Sequence, residues 1–516
     1  MGKLPPPFYI LSVVVLAFGG IPKGYDEGGF SASVTLPAFK NDYNLVKKDW
    51  AHDPTGLANR TANITSFGVL GAAFGALIAY FMNDKIGRLW SYRLAILIWA
   101  SGILMQIFSS GIFGFLLFAR IWGGLGAGGL TVVAPLFLSE IAPTKVRGMI
   151  VSMYMVVLLT FLTLGFFVNY AVSTTMDTSR AQWQIVQAVP LIPVGFAFFS
   201  SFLVPESPRW LATQGRKEEC LASLARLRGL SPDDIELIAE HERVQIEADA
   251  LVEMKSASLL NTARECLTVP NLRSRFLLAI AMHTVAQWTG GNGITYYVSD
   301  IFQYAGIHGP QTSLITSGAY GIVKLVVTMV FAWGLIDRLG RRRCFMAGLI
   351  LQCATHIYMT IFFGAIGVSN KRGSDAAIAS VFVYAIGWSV GLCTIPYIYG
   401  AEIFPTKVRS FAYATTMGLH WFWQFAVVRV TPVMLTDLHK WGAYTFWASI
   451  CAIGIVVLGL WAPETKGVPL ERMEELFEKP WYKCGTAKLL YPDTASAQYG
   501  GKSGDEFSVE QREFKA

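Results

Sequence analysis

Long apolar runs, separated by short stretches rich in glycine and charge, set the pattern of this chain. About 20 apolar residues cross a bilayer as a helix. Runs of that length fall at 8–30, 63–82, 91–110, 114–138, 149–172 and 183–204, then at 276–300, 311–334, 344–366, 376–400, 411–435 and 442–462. They predict an all-α membrane protein with twelve transmembrane helices in two sets of six. Between the sets, 205–273 mixes acidic and basic residues with helix formers. It predicts a helical linker domain, with a plain solvated connection as the alternative. The expected divisions are a six-helix bundle over 1–204, the linker over 205–273, a second bundle over 274–476 and a tail over 477–516.

Composition strengthens this reading. Of 516 residues, 53% are hydrophobic and 15% charged, against about 25% charged in soluble domains. That is too little charge to coat a water-soluble surface of this size. The net charge of +7 is explained by basic loops rather than by nucleic-acid binding, because Lys and Arg gather in short cytoplasmic loops. Lys85, Arg88 and Arg93 follow the second run, Lys145 and Arg147 the fourth, Arg338 and Arg341 to Arg343 the eighth, and Lys407 and Arg409 the tenth. All fall on one side if both termini are cytoplasmic. The loop 40–62 then lies outside and carries the sequon at Asn59, with a second at Asn63, so both are expected glycosylation sites. The first run lacks a small-residue cleavage site, so no signal peptide is expected. Seven scattered cysteines form no CxxC pair, so neither a metal site nor a disulfide framework is expected. No nucleophile and base set or phosphate loop suggests an enzyme, and no cofactor is expected.

Three motifs recur in order. Asp84-Lys85-Ile86-Gly87-Arg88 matches Asp337-Arg338-Leu339-Gly340-Arg341. The segment from Glu140 to Arg147 matches that from Glu402 to Arg409, and Pro205-Glu206-Ser207 matches Pro463-Glu464-Thr465. Duplicated six-span halves imply a two-bundle transporter with its site at the seam, near the midplane. Arg88 and Arg341 can reach Glu140 and Glu402, with Arg147 and Arg409 close in sequence. Such bridges would hold an inner gate closed and break when it opens, although surface ion pairs that only set topology would look the same.

These motifs, with Arg120-x-x-Gly123-Gly124-x-Gly126-x-Gly128, Pro208-Arg209 and Lys466-Gly467, resemble those of the sugar porter branch of the major facilitator superfamily. The resemblance covers nearly the whole chain and looks most like the fungal quinate and acidic-sugar permeases. It implies the major facilitator fold of two pseudo-symmetric bundles. It also implies inner-gate roles for the duplicated charges.

Asp26 and Arg120 are charges inside spans, where insertion costs about 2.5–3.5 kcal/mol each and a partner is expected. Asp26 lies ~27 Å from the inner end of its helix and Arg120 ~30 Å from the end of its own, so the two can pair. A carboxylate that alternates between Arg and a proton couples transport to a proton gradient. In the resembling family an acid at this position is typical of proton symporters. A permanent brace between spans one and four is the alternative. Lys23 and Glu27 flank Asp26 and are unusual for the family.

The seventh span reads Gln287-Trp288-Thr289-Gly290-Gly291-Asn292-Gly293-Ile294-Thr295-Tyr296-Tyr297. Carboxamides both donate to and accept from hydroxyls, and the glycines let the helix bend. The resemblance implies solute contact by Gln287 and Asn292 and an outer gate at Tyr296 and Tyr297. The sequence departs from the family pattern at Ala286, Met155, Tyr397 and His420, which stand where the family places other polar or aromatic contacts, while Trp421 is kept. Lys324 stands where a sugar-binding Asn is expected, and the quinate-type permeases resemble this chain in having Lys there. It lies ~20 Å above the inner end of its helix, too deep for easy snorkelling. A fixed ammonium there favours an anionic solute. An ion pair with Asp26 or Glu27 is the alternative. Arg429 lies near the outer interface and reads as an entry funnel or a snorkelling charge.

Together these readings predict a plasma-membrane, multi-pass carrier, monomeric, that moves a small polyhydroxylated carboxylate with protons. Asp26 and Arg120 would couple protons, and Gln287, Asn292, Lys324, Tyr397, His420 and Trp421 would line the solute site. A neutral hexose or pentose carrier and a transporter-like nutrient sensor are the alternatives.

Overall fold

The computed structural model describes residues 6–46, 48–143, 146–254, 259–466, 468 and 470–486. Lys145, Gly467 and the tail from 487 onward fall outside the described residues, as do the side chains of Asp337 and Lys407. Among the described residues every element is helical.

Ten helical segments are long and apolar enough to cross a membrane: Pro7–Ser33, Pro54–Ile86, Arg88–Ile107, Phe113–Ile141, Arg147–Thr175, Arg180–Leu203, Pro310–Leu335, Arg341–Ile366, Lys371–Gly400 and Trp441–Trp461. Two more expected spans are helical but fall short of that apolar measure. The seventh is broken into Pro270–Trp288, Gly291–Tyr296 and Val298–Tyr304, and the eleventh is the long helix Thr406–Asp437. These two carry Gln287, Asn292, His420 and Trp421, side chains that lower their hydropathy.

The break in the seventh span has a local cause. Gly290 takes φ +90°, a left-handed value that glycine adopts without a Cβ clash. The second span starts earlier than the apolar run suggests. Asp53 accepts a hydrogen bond from the Gly56 N–H at 2.8 Å and Pro54 occupies the first turn, a strong helix start. Asn59 therefore sits within this helix and not in the expected external loop 40–62, and Asn63 follows in the same helix, both half-buried.

Small residues set the packing inside the first half. A side chain at Gly124 would run into the Gly68 carbonyl, and one at Gly128 into the Ala72 carbonyl. The second and fourth spans can approach this closely because both present glycine and alanine at the seam. Gly24 and Gly28 likewise press the first span onto the Leu158 and Leu162 carbonyls of the fifth, which fixes the register of the intervening Asp26 and Glu27.

Between the sixth and seventh spans lie helices Pro208–Thr213, Lys217–Arg228, Ile235–Met254 and Leu259–Thr268. The Ser207 hydroxyl caps the first of them at the Trp210 N–H, 3.3 Å away. Trp210, Leu211, Cys220, Leu224, Leu237 and Val244 form a small core of their own, and Arg228 bonds Glu240 at 2.7 Å. Burial pushes the Cys220 thiol up to about 11, so it is a core residue without thiolate character at neutral pH.

The sequence repeats become one structure built twice. Gly87 at φ +90° and Gly340 at φ +95° end the second and eighth spans. The Glu206 carboxylate then accepts from the Arg88 and Leu89 N–H groups at 3.1 Å, and Glu464 accepts from those of Arg341 and Arg342 at 2.9 and 3.2 Å. Each carboxylate thus caps the start of the following helix, where free N–H groups favour negative charge. Arg88 bonds Glu140 at 3.0 Å and Arg341 bonds Glu402 at 3.3 Å. Ser207 bonds Glu140, and Thr465 donates to Glu402 at 3.0 Å.

Candidate solute and proton site

The structure brings Asp26 and Arg120 together in an ion pair. Arg120 also donates to the Ile64 and Thr65 carbonyls at 3.0 and 3.2 Å and lies 3.7 Å over the Phe30 ring. These contacts fix the guanidinium. The second Asp26 oxygen accepts from the Tyr296 hydroxyl at 2.8 Å, a bond that crosses from the first span to the seventh. A small cavity beside the pair is lined by Gln106, Gln187, Lys23 and Tyr296. The buried Gln106 Oε1 and Gln187 Nε2 have no protein partner, so the cavity is polar enough to hold water.

Lys23 and Glu27 form a second buried pair at 2.9 Å, one helical turn apart. Lys23 Nζ also donates to the Tyr296 hydroxyl at 3.2 Å and lies 5.0 Å over the Trp421 ring. The two pairs therefore meet at Tyr296.

Lys324 is 2% exposed. Its ammonium donates to the Thr295 hydroxyl at 3.1 Å. Among the described residues no carboxylate lies within ion-pair distance of it. The two acids that sequence reasoning offered as partners, Asp26 and Glu27, are held by Arg120 and Lys23 instead.

His420 is the centre of a polar knot in the C-terminal half. Tyr397 Oη lies 2.8 Å from its Nε2, Gln287 Nε2 lies 3.1 Å from the same nitrogen, and His283 Nδ1 lies 3.2 Å from its Nδ1. The Gln287 Oε1 is buried without a partner. Asn292, buried one turn beyond the break, makes no hydrogen bond through its side chain among the described residues. Both amides keep capacity for a solute hydroxyl. His283 escaped the sequence reading. Its signal was the four-residue spacing to Gln287, which places both on one helix face.

The expected outer-gate tyrosines divide. Tyr296 bonds Asp26 across the halves, whereas Tyr297 donates to the Val428 carbonyl at 3.2 Å and also meets Thr65 of the second span. The same end is tied by Arg429 to Asn59 at 2.9 Å, Thr55 to Asp437 at 2.7 Å and Gln311 to the Ser173 carbonyl at 3.3 Å. Arg429 is thus a cross-half tie to the Asn59 Oδ1. At the opposite end Arg88–Glu140 and Arg341–Glu402 each stay within one half. Arg147 and Arg409 sit at the same end: Arg147 neighbours Arg209 and Glu247, and Arg409 donates to the Phe404 carbonyl at 3.0 Å.

Residues 12–477 match the family described as sugar (and other) transporter. The probable quinate permease of Aspergillus terreus is 33% identical over 498 residues, covering 93% of this chain and 89% of its own. The quinate permease of Emericella nidulans is 32% identical over 483 residues, with 91% and 88% covered. Among solved structures, the proton:xylose symporter XylE bound to 6-bromo-6-deoxy-D-glucose superposes with a TM-score of 0.74 at 19% identity, covering 91% of this chain and 99% of its own. Inward-open XylE from E. coli gives the same score at 18% identity, with 91% and 100% covered. The fold is thus the major facilitator fold, and the protein is a multi-pass membrane transporter of a small molecule and not an enzyme. The chain belongs to the sugar porter family of the major facilitator superfamily.

Proposed function

We propose that this transporter takes up a small polyhydroxylated carboxylate, of the quinate or galacturonate kind, together with protons, by alternating access at the plasma membrane. One observation carries the reading: Lys324 is a buried ammonium held by one hydroxyl and no carboxylate among the described residues. A charge kept in that position at such cost is a functional feature by default, and an incoming carboxylate supplies the missing partner. The names of the fungal relatives, quinate permeases, support the same solute class. Gln287 offers its Oε1 and Asn292 its amide to hydroxyls, His420 and Tyr397 stand beside them, and Trp421 offers a ring face.

Asp26 is the proposed proton site and Arg120 its fixed partner. Protonation of Asp26 would release the Tyr296 hydroxyl and with it a tie between the halves. The basic loops would face the cytoplasm along with both termini, so the end tied by Arg429 and Tyr296 would face outside. In this scheme 1–204 and 274–476 rock as two bundles, joined by the helical linker 205–273, in a monomer. The Arg88 and Arg341 clusters, with Arg147 and Arg409 near them, form the inner gate. Sugar attachment at Asn59 and Asn63 remains compatible with this orientation, because Arg429 bonds the Asn59 Oδ1 and not the Nδ2 to which a sugar attaches.

The test is uptake of labelled quinate, galacturonate and glucose in transporter-null yeast at pH 5, with and without a protonophore. Acid uptake that the protonophore abolishes, with little glucose uptake, is the expected result. Glucose uptake indifferent to the protonophore would contradict both the solute class and the coupling.

A further inference from the structure

The ion pair next to Asp26 has no part in the scheme so far. Lys23 and Glu27 are 7% and 4% exposed, and both are ionisable groups deep in a span, where each is costly. If only bracing were needed, the neighbouring pair Asp26–Arg120 already supplies it. The two carboxylates are also held very differently. Asp26 is gripped by the guanidinium of another helix and by a tyrosine hydroxyl. Among the described residues the one cation within ion-pair distance of Glu27 is the flexible Lys23.

Lys23 stands where the solute is expected. Its ammonium covers the Trp421 ring at 5.0 Å and the Tyr296 ring at 5.3 Å. A solute ring cannot stack on Trp421 until that ammonium moves, and it cannot move off Glu27 without leaving a buried carboxylate unpaired. A proton on Glu27 removes that obstacle.

We propose that Glu27 is a second proton-exchanging carboxylate, which takes up a proton as the solute's carboxylate enters and so hands Lys23 over to it. This rests on the carboxylate reading above. The step balances without a further reactant. A proton from water adds to a Glu27 oxygen, and the N–H···O contact to Lys23 breaks. The ammonium keeps its three protons and bonds the solute's carboxylate, next to Lys324. On release the proton leaves Glu27 and the original pair closes again.

The groups around Glu27 leave it as the exchangeable member. Tyr154 of the fifth span, Tyr296 of the seventh, Tyr320 of the eighth and Tyr397 and Cys393 of the tenth lie within electrostatic reach. Tyrosine and cysteine side chains are uncharged near neutral pH unless activated. Tyr320 also feels Lys324, so one tyrosine lies within electrostatic reach of both the acid and the second ammonium. His420 of the eleventh span faces Lys23 and is occupied by Tyr397, Gln287 and His283. Arg120 of the fourth span is bound to Asp26.

The experiment is calorimetric titration of purified full-length protein with quinate, in two buffers of different ionisation enthalpy, which reads the protons taken up per quinate bound. Relative to the wild type, Glu27→Gln is expected to take up about one proton fewer. Because the amide resembles the protonated acid, it is also expected to bind quinate at least as tightly, with a flatter dependence on pH. If the variant folds poorly with Lys23 unpaired, the neutral pair Lys23→Met with Glu27→Gln is read in its place, and proton uptake must fall by the same amount. Unchanged proton uptake in the variant that folds would overturn the proposal. So would loss of quinate binding in Glu27→Gln with its fold intact, since Glu27 is given no part in holding the solute. A wild type that binds glucose and no quinate would instead remove the carboxylate reading itself, a separate result.

Discussion

The repeated charge clusters at one end of the molecule and the midplane beyond them make an instructive contrast. In these clusters the halves are copies in plan: Arg88, Glu140, Glu206 and Ser207 recur as Arg341, Glu402, Glu464 and Thr465 with the same Arg–Glu pair, helix-capping Glu and hydroxyl contact. At the midplane they are not. The N-terminal half supplies the paired charges Asp26, Arg120, Lys23 and Glu27, whereas the C-terminal half supplies amides, histidines and the unpaired Lys324. Duplication was kept where both halves do the same mechanical work. On the proposed reading it was lost where one half would handle protons and the other would read the solute.

The largest effect expected comes from breaking the proton side. Arg120→Ala leaves Asp26, whose side chain is 18% exposed, without its cation, at a cost of up to about 3–5 kcal/mol, the figure for breaking a fully buried pair. Folded yield, read by size exclusion in detergent, and uptake should both fall sharply. Arg120→Ala paired with Asp26→Asn should recover the yield without proton-driven accumulation. If the single substitution were tolerated in both readouts, the pair would be an ornament and the asymmetry between the halves would lose its meaning.

The copied ends can be compared directly. The Arg88–Glu140 contact is shorter, at 3.0 against 3.3 Å, and its side chains are more enclosed than those of Arg341–Glu402. Charged hydrogen bonds contribute about 1.5–3 kcal/mol when buried and about 0–1 kcal/mol when exposed. Arg88→Ala should therefore lower the melting temperature more than Arg341→Ala. Equal shifts would mean that burial does not distinguish the two gates. The smallest effect belongs to exchanging the hydroxyls, Ser207→Thr together with Thr465→Ser. It should stay within about 0.5 kcal/mol, checked by thermal melting, because each hydroxyl serves the same carboxylate geometry.

This contrast also explains what could be read in the sequence. The repeated ends are legible because their residues are adjacent in the chain and spaced alike in both halves. The break in the seventh span is legible in Gly290 and Gly291. The pairing of Asp26 with Arg120 follows from depth along two helices. What depends on helices interdigitating across the seam was not legible. Tyr296 was expected to gate and instead also bonds Asp26, and Arg429 finds Asn59. The external loop was misjudged because Asp53-Pro54 starts a helix in a stretch still too polar to look like a span. Lys23 and Glu27 stood out as unusual, yet only their position over Trp421 and under Tyr296 suggests what they do.

The central claim is that Lys324 is kept without a counter-ion so that the solute can provide one. Equilibrium binding of labelled quinate to the purified protein, wild type against Lys324→Asn with glucose as competitor, addresses it most directly. Loss of one charge-assisted contact of about 1.5–3 kcal/mol predicts a roughly 10–150-fold weaker affinity for quinate, with glucose competing no worse than before. Quinate affinity unchanged in Lys324→Asn would contradict the claim and leave the lysine as a structural partner of Thr295.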